Sequence, residues 1–204
     1  MIPIGKPDWW DAAREFLLQD ESLASVVEKH PDGFLSGKGD LFATFVNSIV
    51  GQQISVIAAD AIWNRLKEKV GEITPQKISS YSAEEIAACG LTKSKTSYIL
   101  GVANNPDEFL NRNFSEMSDE EIHKHFITFR GVGPWTSEML MIFGLLRPDV
   151  FSIGDIGLVK AVKILHPEAE TKEDVLAIAE KWRPYRTAAA WYLWRMLDPV
   201  PVAY

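Results

Sequence analysis

The chain carries one cysteine, Cys89, in 204 residues. That excludes an internal disulfide, a zinc site of several thiolates and a four-cysteine iron–sulfur cluster. Histidine is nearly as scarce: His30, His123, His125 and His166 are the whole supply. His123 and His125 stand two apart, which on a helix turns them in different directions, so no ligand set for a catalytic metal is expected. Also missing is any run of about 18 apolar residues able to span a bilayer. The polar opening Met1-Ile2-Pro3-Ile4-Gly5-Lys6 lacks the charged-then-apolar pattern of an export leader. The expectation is a soluble protein of the cytoplasm, or of the nucleus in a eukaryote. Strand-like alternation, internal repeats, heptad runs and low-complexity linkers are absent, and nothing in the pattern suggests an oligomer.

Positive charge is in short supply too. The 21 Lys and Arg are outnumbered by 28 Asp and Glu, a net charge of −7. Such a balance argues mildly against a polyanionic partner. Its distribution tempers that argument, because residues 1–88 hold 13 acidic against 8 basic side chains while residues 89–165 hold 9 against 8.

What the sequence has in quantity is apolar residues, 47% of the chain, enough for a full core. They recur at three- and four-residue spacing, which predicts helices over about 9–18, 41–50, 55–70, 83–88, 94–104, 118–129, 134–146, 156–165, 172–182 and 185–197. Gly and Pro punctuate them at Pro31-Asp32-Gly33, Gly37-Lys38-Gly39, Asn105-Pro106, Arg147-Pro148 and His166-Pro167. The class is all-α with short loops.

Between two of these helices lies Phe129-Arg130-Gly131-Val132-Gly133-Pro134-Trp135-Thr136. Two glycines around a small apolar residue allow a very tight turn and leave the amides uncovered. Pro134 suits the first turn of the following helix. Outward N–H groups at a helix N-terminus make an anion site that a phosphate fits, and it needs no lysine. The other reading is a plain turn between helices.

Here the sequence resembles the helix-hairpin-helix superfamily of DNA glycosylases, most of all its 3-methyladenine DNA glycosylase II branch. The resemblance runs from about Leu41 to Leu197. It rests on the hairpin, on Asp149-Val150-Phe151-Ser152-Ile153-Gly154-Asp155-Ile156-Gly157-Leu158, on Gly51-Gln52-Gln53-Ile54-Ser55 and on Gly90-Leu91-Thr92-Lys93-Ser94-Lys95-Thr96-Ser97-Tyr98-Ile99. It implies a two-lobed helical fold with the active-site cleft between the lobes. Residues of roughly 35–110 would form one lobe, and 111–204 with the N-terminal helix the other, carrying hairpin 129–136 and Asp155. It implies double-stranded DNA with alkylated bases as partner.

The resemblance also assigns roles. Asp155, 22 residues after Gly133, stands where the family has its essential aspartate. By itself an Asp after Gly that opens an apolar helix reads as an N-cap, and one residue can serve both ends. A fixed carboxylate stabilises the positive charge that develops on the sugar or orients a water. Gln53 stands where relatives insert a wedge into the gap left by a flipped base, although Gln52 and Gln53 also suit a simple helix break. The Gly131 and Gly133 amides and the Thr136 hydroxyl are the expected phosphate contacts. Hairpin carbonyls near Phe129 and Val132 would hold a structural Na⁺ or K⁺, with no catalytic metal and no iron–sulfur cluster. Lys93, Lys95, Arg130 and Lys163 could add attraction.

Trp135 occupies the position where relatives that also cut the strand place a nucleophilic lysine. An indole cannot form a Schiff base, and Lys160 and Lys163 do not fit that position. Base removal without strand cleavage follows. Trp135 and Trp194 are expected as electron-rich pocket walls for a cationic methylated purine, with Met139 and Ile156 where relatives carry aromatics. Trp63, Trp182 and Trp191 read as core. The competing readings are a glycosylase/lyase for oxidised bases and a helix-hairpin-helix module that binds without catalysis.

Overall fold

A computed structural model of the chain describes residues 2–198. Within them the only sheet is an antiparallel pair of two-residue strands, β1 (Ile4–Gly5) and β2 (Gly37–Lys38). The helices are α1 (Trp10–Leu17), α2 (Ala24–Glu28), α3 (Leu41–Gly51), α4 (Val56–Val70), α5 (Pro75–Ser79), α6 (Ala83–Ala87) and α7 (Lys93–Asn104). They continue with α8 (Pro106–Leu110), α9 (Asp119–Phe126), α10 (Pro134–Met139), α11 (Ile156–Leu165), α12 (Lys172–Glu180) and α13 (Arg186–Leu197). The all-α class is as the periodicity implies.

Local chemistry sets the boundaries. Asp40 accepts from Ala43 N–H at 2.8 Å, and Ser55, Thr74, Thr92 and Asp155 cap α4, α5, α7 and α11 in the same way. Ser82, Ser118 and Thr171 form reciprocal capping boxes with Glu85, Glu121 and Asp174. Each such cap contributes about 1 kcal/mol. The one-turn helices α2, α5 and α8 were not expected from the apolar spacing, whereas α6, equally short, was. The helix predicted over 134–146 departs more instructively: it is α-helical only to Met139, then widens into a π-helical turn over Leu140–Gly144.

The described residues divide into two compact units, one of Gly39–Leu140 and one joining Pro3–Lys38 to residues 141–198. The division therefore falls at Leu140 and not near residue 110. The hairpin groups with the Gln53 loop and apart from Asp155, because α10 packs against α3 and α9.

In the first unit, α3 is the central helix and packs on α4, α7 and α10. It buries Leu41, Phe42, Phe45, Val46 and Ile49. Phe109 sits 4.9 Å from both Phe45 and Phe129 and 5.3 Å from Phe126, ring centre to ring centre. In the second unit, α13 packs on α1, α2 and α11. Trp10, Trp182 and Tyr192 are its largest fully buried side chains. Each large apolar side chain so buried contributes roughly 1.5–3 kcal/mol. Trp182 donates its indole N–H to Asp20 at 3.1 Å, and Gly33 lies so close to Trp191 that a Cβ would come within 2.5 Å of the ring. The core readings of Trp182 and Trp191 hold, whereas Trp63 is half-buried beneath the Lys67 ammonium. No described helix is long and apolar enough to cross a membrane.

Candidate active site

The hairpin begins where α9 ends. Phe129 N–H bonds back to the Phe126 carbonyl at 3.1 Å, and Val132 N–H to the Phe129 carbonyl at 3.0 Å, closing the turn. Gly131 has φ +88°, and a Cβ there would lie 2.1 Å from the Tyr98 ring, so only glycine fits. The Arg130 guanidinium covers the same ring at 5.7 Å. Gly133 is the N-cap of α10, with Pro134 at the first helical position and no side-chain cap. A Cβ on Gly133 would meet nothing within 4 Å, so the backbone is open to approach there.

Thr136 is a correction. It is 2% exposed, and its hydroxyl accepts a hydrogen bond from the Gln52 side chain at 2.9 Å. The hydroxyl is thus turned inward to the end of α3 and does not face a phosphate. Met139 is fully buried, one helical turn beyond the half-buried Trp135, so it packs in the interior where an open pocket wall was expected.

Gln53 is exposed just past the last turn of α3, with φ +56°. Gln52 and Lys95 hold the residues before it. The Gln52 amide also donates to the Gly131 carbonyl at 2.9 Å, and the Lys95 ammonium donates to the Val50 and Gln52 carbonyls at 2.8 Å each. Burial pushes the Lys95 pKa below that of an ordinary lysine. Lys95 is therefore engaged within the protein and is not a free cation for DNA.

In the second unit, Asp155 caps α11. Its Oδ1 accepts from Leu158 N–H at 2.8 Å and from the Trp194 indole N–H at 3.3 Å. Trp194, half-buried on α13, stacks on Phe143 at 5.5 Å with the rings 27° apart. Phe143 belongs to the π-helical turn, a feature that recurs at functional sites. A Cβ on Gly157 would lie 3.1 Å from Asp155 Oδ1. The segment leading to Asp155 is tied to the start of α13. The Thr187 hydroxyl donates to the Arg147 carbonyl at 2.6 Å and accepts from Val150 N–H at 3.0 Å, while Asp149 pairs with Arg183 and Arg186 at 2.8 and 2.7 Å. One helix thus grips both ends of the Asp155 loop. Ile156 stands 86% exposed beside the carboxylate, so no protein neighbour makes it part of an enclosed wall.

Among the described residues no group of three or more His, Cys, Asp or Glu is placed to hold a metal ion. Sequence reasoning missed the contacts of Gln52 and Tyr98 with the hairpin in the first unit, and those of Phe143 and Gly157 around Trp194 and Asp155 in the second. The motif containing Lys95 was recognised, but not the bonds that Lys95 makes.

A family profile matches residues 46–184, that of the HhH-GPD superfamily of base excision DNA repair proteins. The chain belongs to that superfamily. More particularly, it is 34% identical over 181 residues to DNA-3-methyladenine glycosylase 1 of Schizosaccharomyces pombe, covering 85% of this chain and 79% of the relative. It is 29% identical to DNA-3-methyladenine glycosylase of Bacillus subtilis, covering 79% of this chain and 58% of that longer protein. The solved structure of the S. pombe 3-methyladenine DNA glycosylase in complex with abasic DNA superposes with a TM-score of 0.79 at 30% identity, covering 90% of this chain and 95% of the other.

Proposed function

We propose that this chain is a monofunctional DNA glycosylase that hydrolyses the N-glycosidic bond of alkylated purines of the 3-methyladenine and 7-methylguanine type, the first step of base excision repair. The observation that carries this is Asp155, held by the Leu158 amide and the Trp194 indole at the N-terminus of α11. The two donors fix the direction in which the carboxylate points. As the bond to the base breaks, positive charge grows on the deoxyribose, and a fixed carboxylate stabilises it without having to reorganise. The same group orients the water that completes the hydrolysis. A methylated purine is cationic and leaves as a neutral base, so no general acid is needed.

Extrusion of the base comes first. The Gly131 and Gly133 amides grip a DNA phosphate, the backbone being open to approach at Gly133, which accounts for a DNA-binding protein with an acidic net charge. Gln53 enters the stack behind the departing base. Trp135 and Trp194 offer electron-rich faces to the cationic base. Trp135 has no amine, so the sugar is not attacked covalently and the strand is not nicked. The Phe129 carbonyl, bonded once to Val132, keeps a lone pair with which it and the Val132 carbonyl could hold a structural Na⁺ or K⁺. The protein is taken to act as a monomer in the compartment that holds the DNA.

The test is release of free 3-methyladenine from methylated duplex DNA in the presence of EDTA. Wild-type protein releases the base and Asp155→Asn does not. Strand nicking without alkali would replace this reading with a glycosylase/lyase, and DNA binding without release would replace it with a non-catalytic module.

A further inference from the structure

Gln53 holds φ +56°, a left-handed backbone that residues other than glycine seldom adopt. Such a conformation persists where its surroundings impose it. Two side chains do so here, from opposite directions. Lys95, in the first turn of α7, sends its ammonium to the Val50 and Gln52 carbonyls. These lie at the C-terminal end of α3, where carbonyls have no partner within the helix and a cation complements the dipole. Gln52 sends its amide the other way, to the Gly131 carbonyl and the Thr136 hydroxyl of the hairpin. Tyr98, one turn beyond Lys95 on α7, closes the triangle by lying against Gly131. The end of α3 and the hairpin are thus fastened to each other and to the same turns of α7. An ordinary helix end needs none of this, since a glycine stop serves. A half-buried ammonium with two carbonyl partners is a costly way merely to finish a helix.

We propose that Lys95 and Gln52 are positioning residues for base extrusion: they lock the Gln53 loop to the hairpin, so that the wedge is presented at a fixed offset from the phosphate the hairpin grips. This rests on the glycosylase reading above. On this account a slack loop hampers the opening of a paired base but matters little for a base already outside the stack. Lys95 and Gln52 both spend their side-chain donors on bonds within the protein.

The experiment compares single-turnover release of 7-methylguanine from two duplexes, one with the lesion paired to cytosine and one with it in a single-nucleotide bulge. Lys95→Met, Lys95→Arg, Gln52→Glu, Gln53→Ala and the double variant Lys95→Met/Gln53→Ala are measured beside the wild type, each with a thermal melt. Lys95→Met and Gln52→Glu should slow the paired substrate about tenfold and the bulged one less than about threefold. Lys95→Arg, which retains a donor for the carbonyls, should recover most of the rate. The double variant should be no slower than its slower parent, because both changes impair one step. Equal slowing on the two duplexes, or additive losses in the double variant, would overturn the proposal and leave Lys95 a fold-stabilising residue. If Lys95→Met does not fold, Gln52→Glu decides by the same ratio. Failure of the wild type on both duplexes would instead remove the glycosylase reading itself.

Discussion

The indole N–H of Trp194 and the backbone N–H of Leu158 meet on one oxygen, Oδ1 of Asp155, at 3.3 and 2.8 Å. That oxygen is therefore both a helix cap and the anchor that fixes the carboxylate's direction. The two duties separate under substitution. Asn caps about as well as Asp, so Asp155→Asn should melt close to the wild type while base release falls by about 10²–10³-fold or more. Calorimetry beside an excision assay reads both.

Trp194→Phe keeps a ring to stack on Phe143 and removes the N–H donor. A hydrogen bond to a charged group contributes about 1.5–3 kcal/mol. The expected result is a kcat lowered about tenfold or more, with DNA affinity nearly unchanged. In the Asp155→Asn background the same change should cost little further, since the two residues act as a unit.

Gly157→Ala sets stability against activity. An alanine is favoured over glycine in a helix by up to about 1 kcal/mol, less in the first turn where Gly157 stands, yet its Cβ would come 3.1 Å from Asp155 Oδ1 and 3.8 Å from Trp194. The melting temperature should hold or rise while the excision rate drops. An unchanged rate would mean that the carboxylate tolerates displacement.

Gly131→Ala has no such compensation. The residue has φ +88°, and its new methyl would overlap the Tyr98 ring. Both stability and affinity for an abasic-site duplex should fall, and Gly131→Ala combined with Tyr98→Ala should recover part of the stability but not the strained backbone.

His125 predicts a response to mild acid. Burial among Phe114, Phe126 and Phe129 pushes its imidazole pKa below 6.5, against a weaker opposing bond to the Phe109 carbonyl. The fold therefore favours the neutral ring, while the unfolded chain accepts a proton more readily. This contribution is complete above about pH 6.5 and is lost as the pH falls through the folded-state value. Urea midpoints measured at about pH 7.5 and about pH 5.5 should drop, and His125→Phe should flatten the difference.

The helices were legible because their caps and apolar spacing are local. Ser118 with Glu121, or Thr171 with Asp174, announces a helix start within four residues. The hairpin was legible through its paired glycines and Pro134, and Asp155 as a helix cap, while its further role came only from the resemblance. What stayed hidden was how the groups engage one another. Thr136 looked like a phosphate ligand until its hydroxyl was found bonded to Gln52, 84 residues earlier. Lys95 looked like a surface cation for the same reason: its partners lie 43 and 45 residues away. The π-helical turn that presents Phe143 leaves no signature in the apolar spacing, so Phe143 was read as ordinary helix. Met139 fell inside because spacing gives a residue's face and not the depth of what covers it.

If the cap at residue 155 is also the reacting group, as proposed above, a practical corollary follows. Exchange of one oxygen for an NH₂ at residue 155 would silence the chemistry and leave the molecule's shape whole. Such a silenced protein would remain sitting on damaged nucleotides, a ready reagent for marking where methylation has struck a genome.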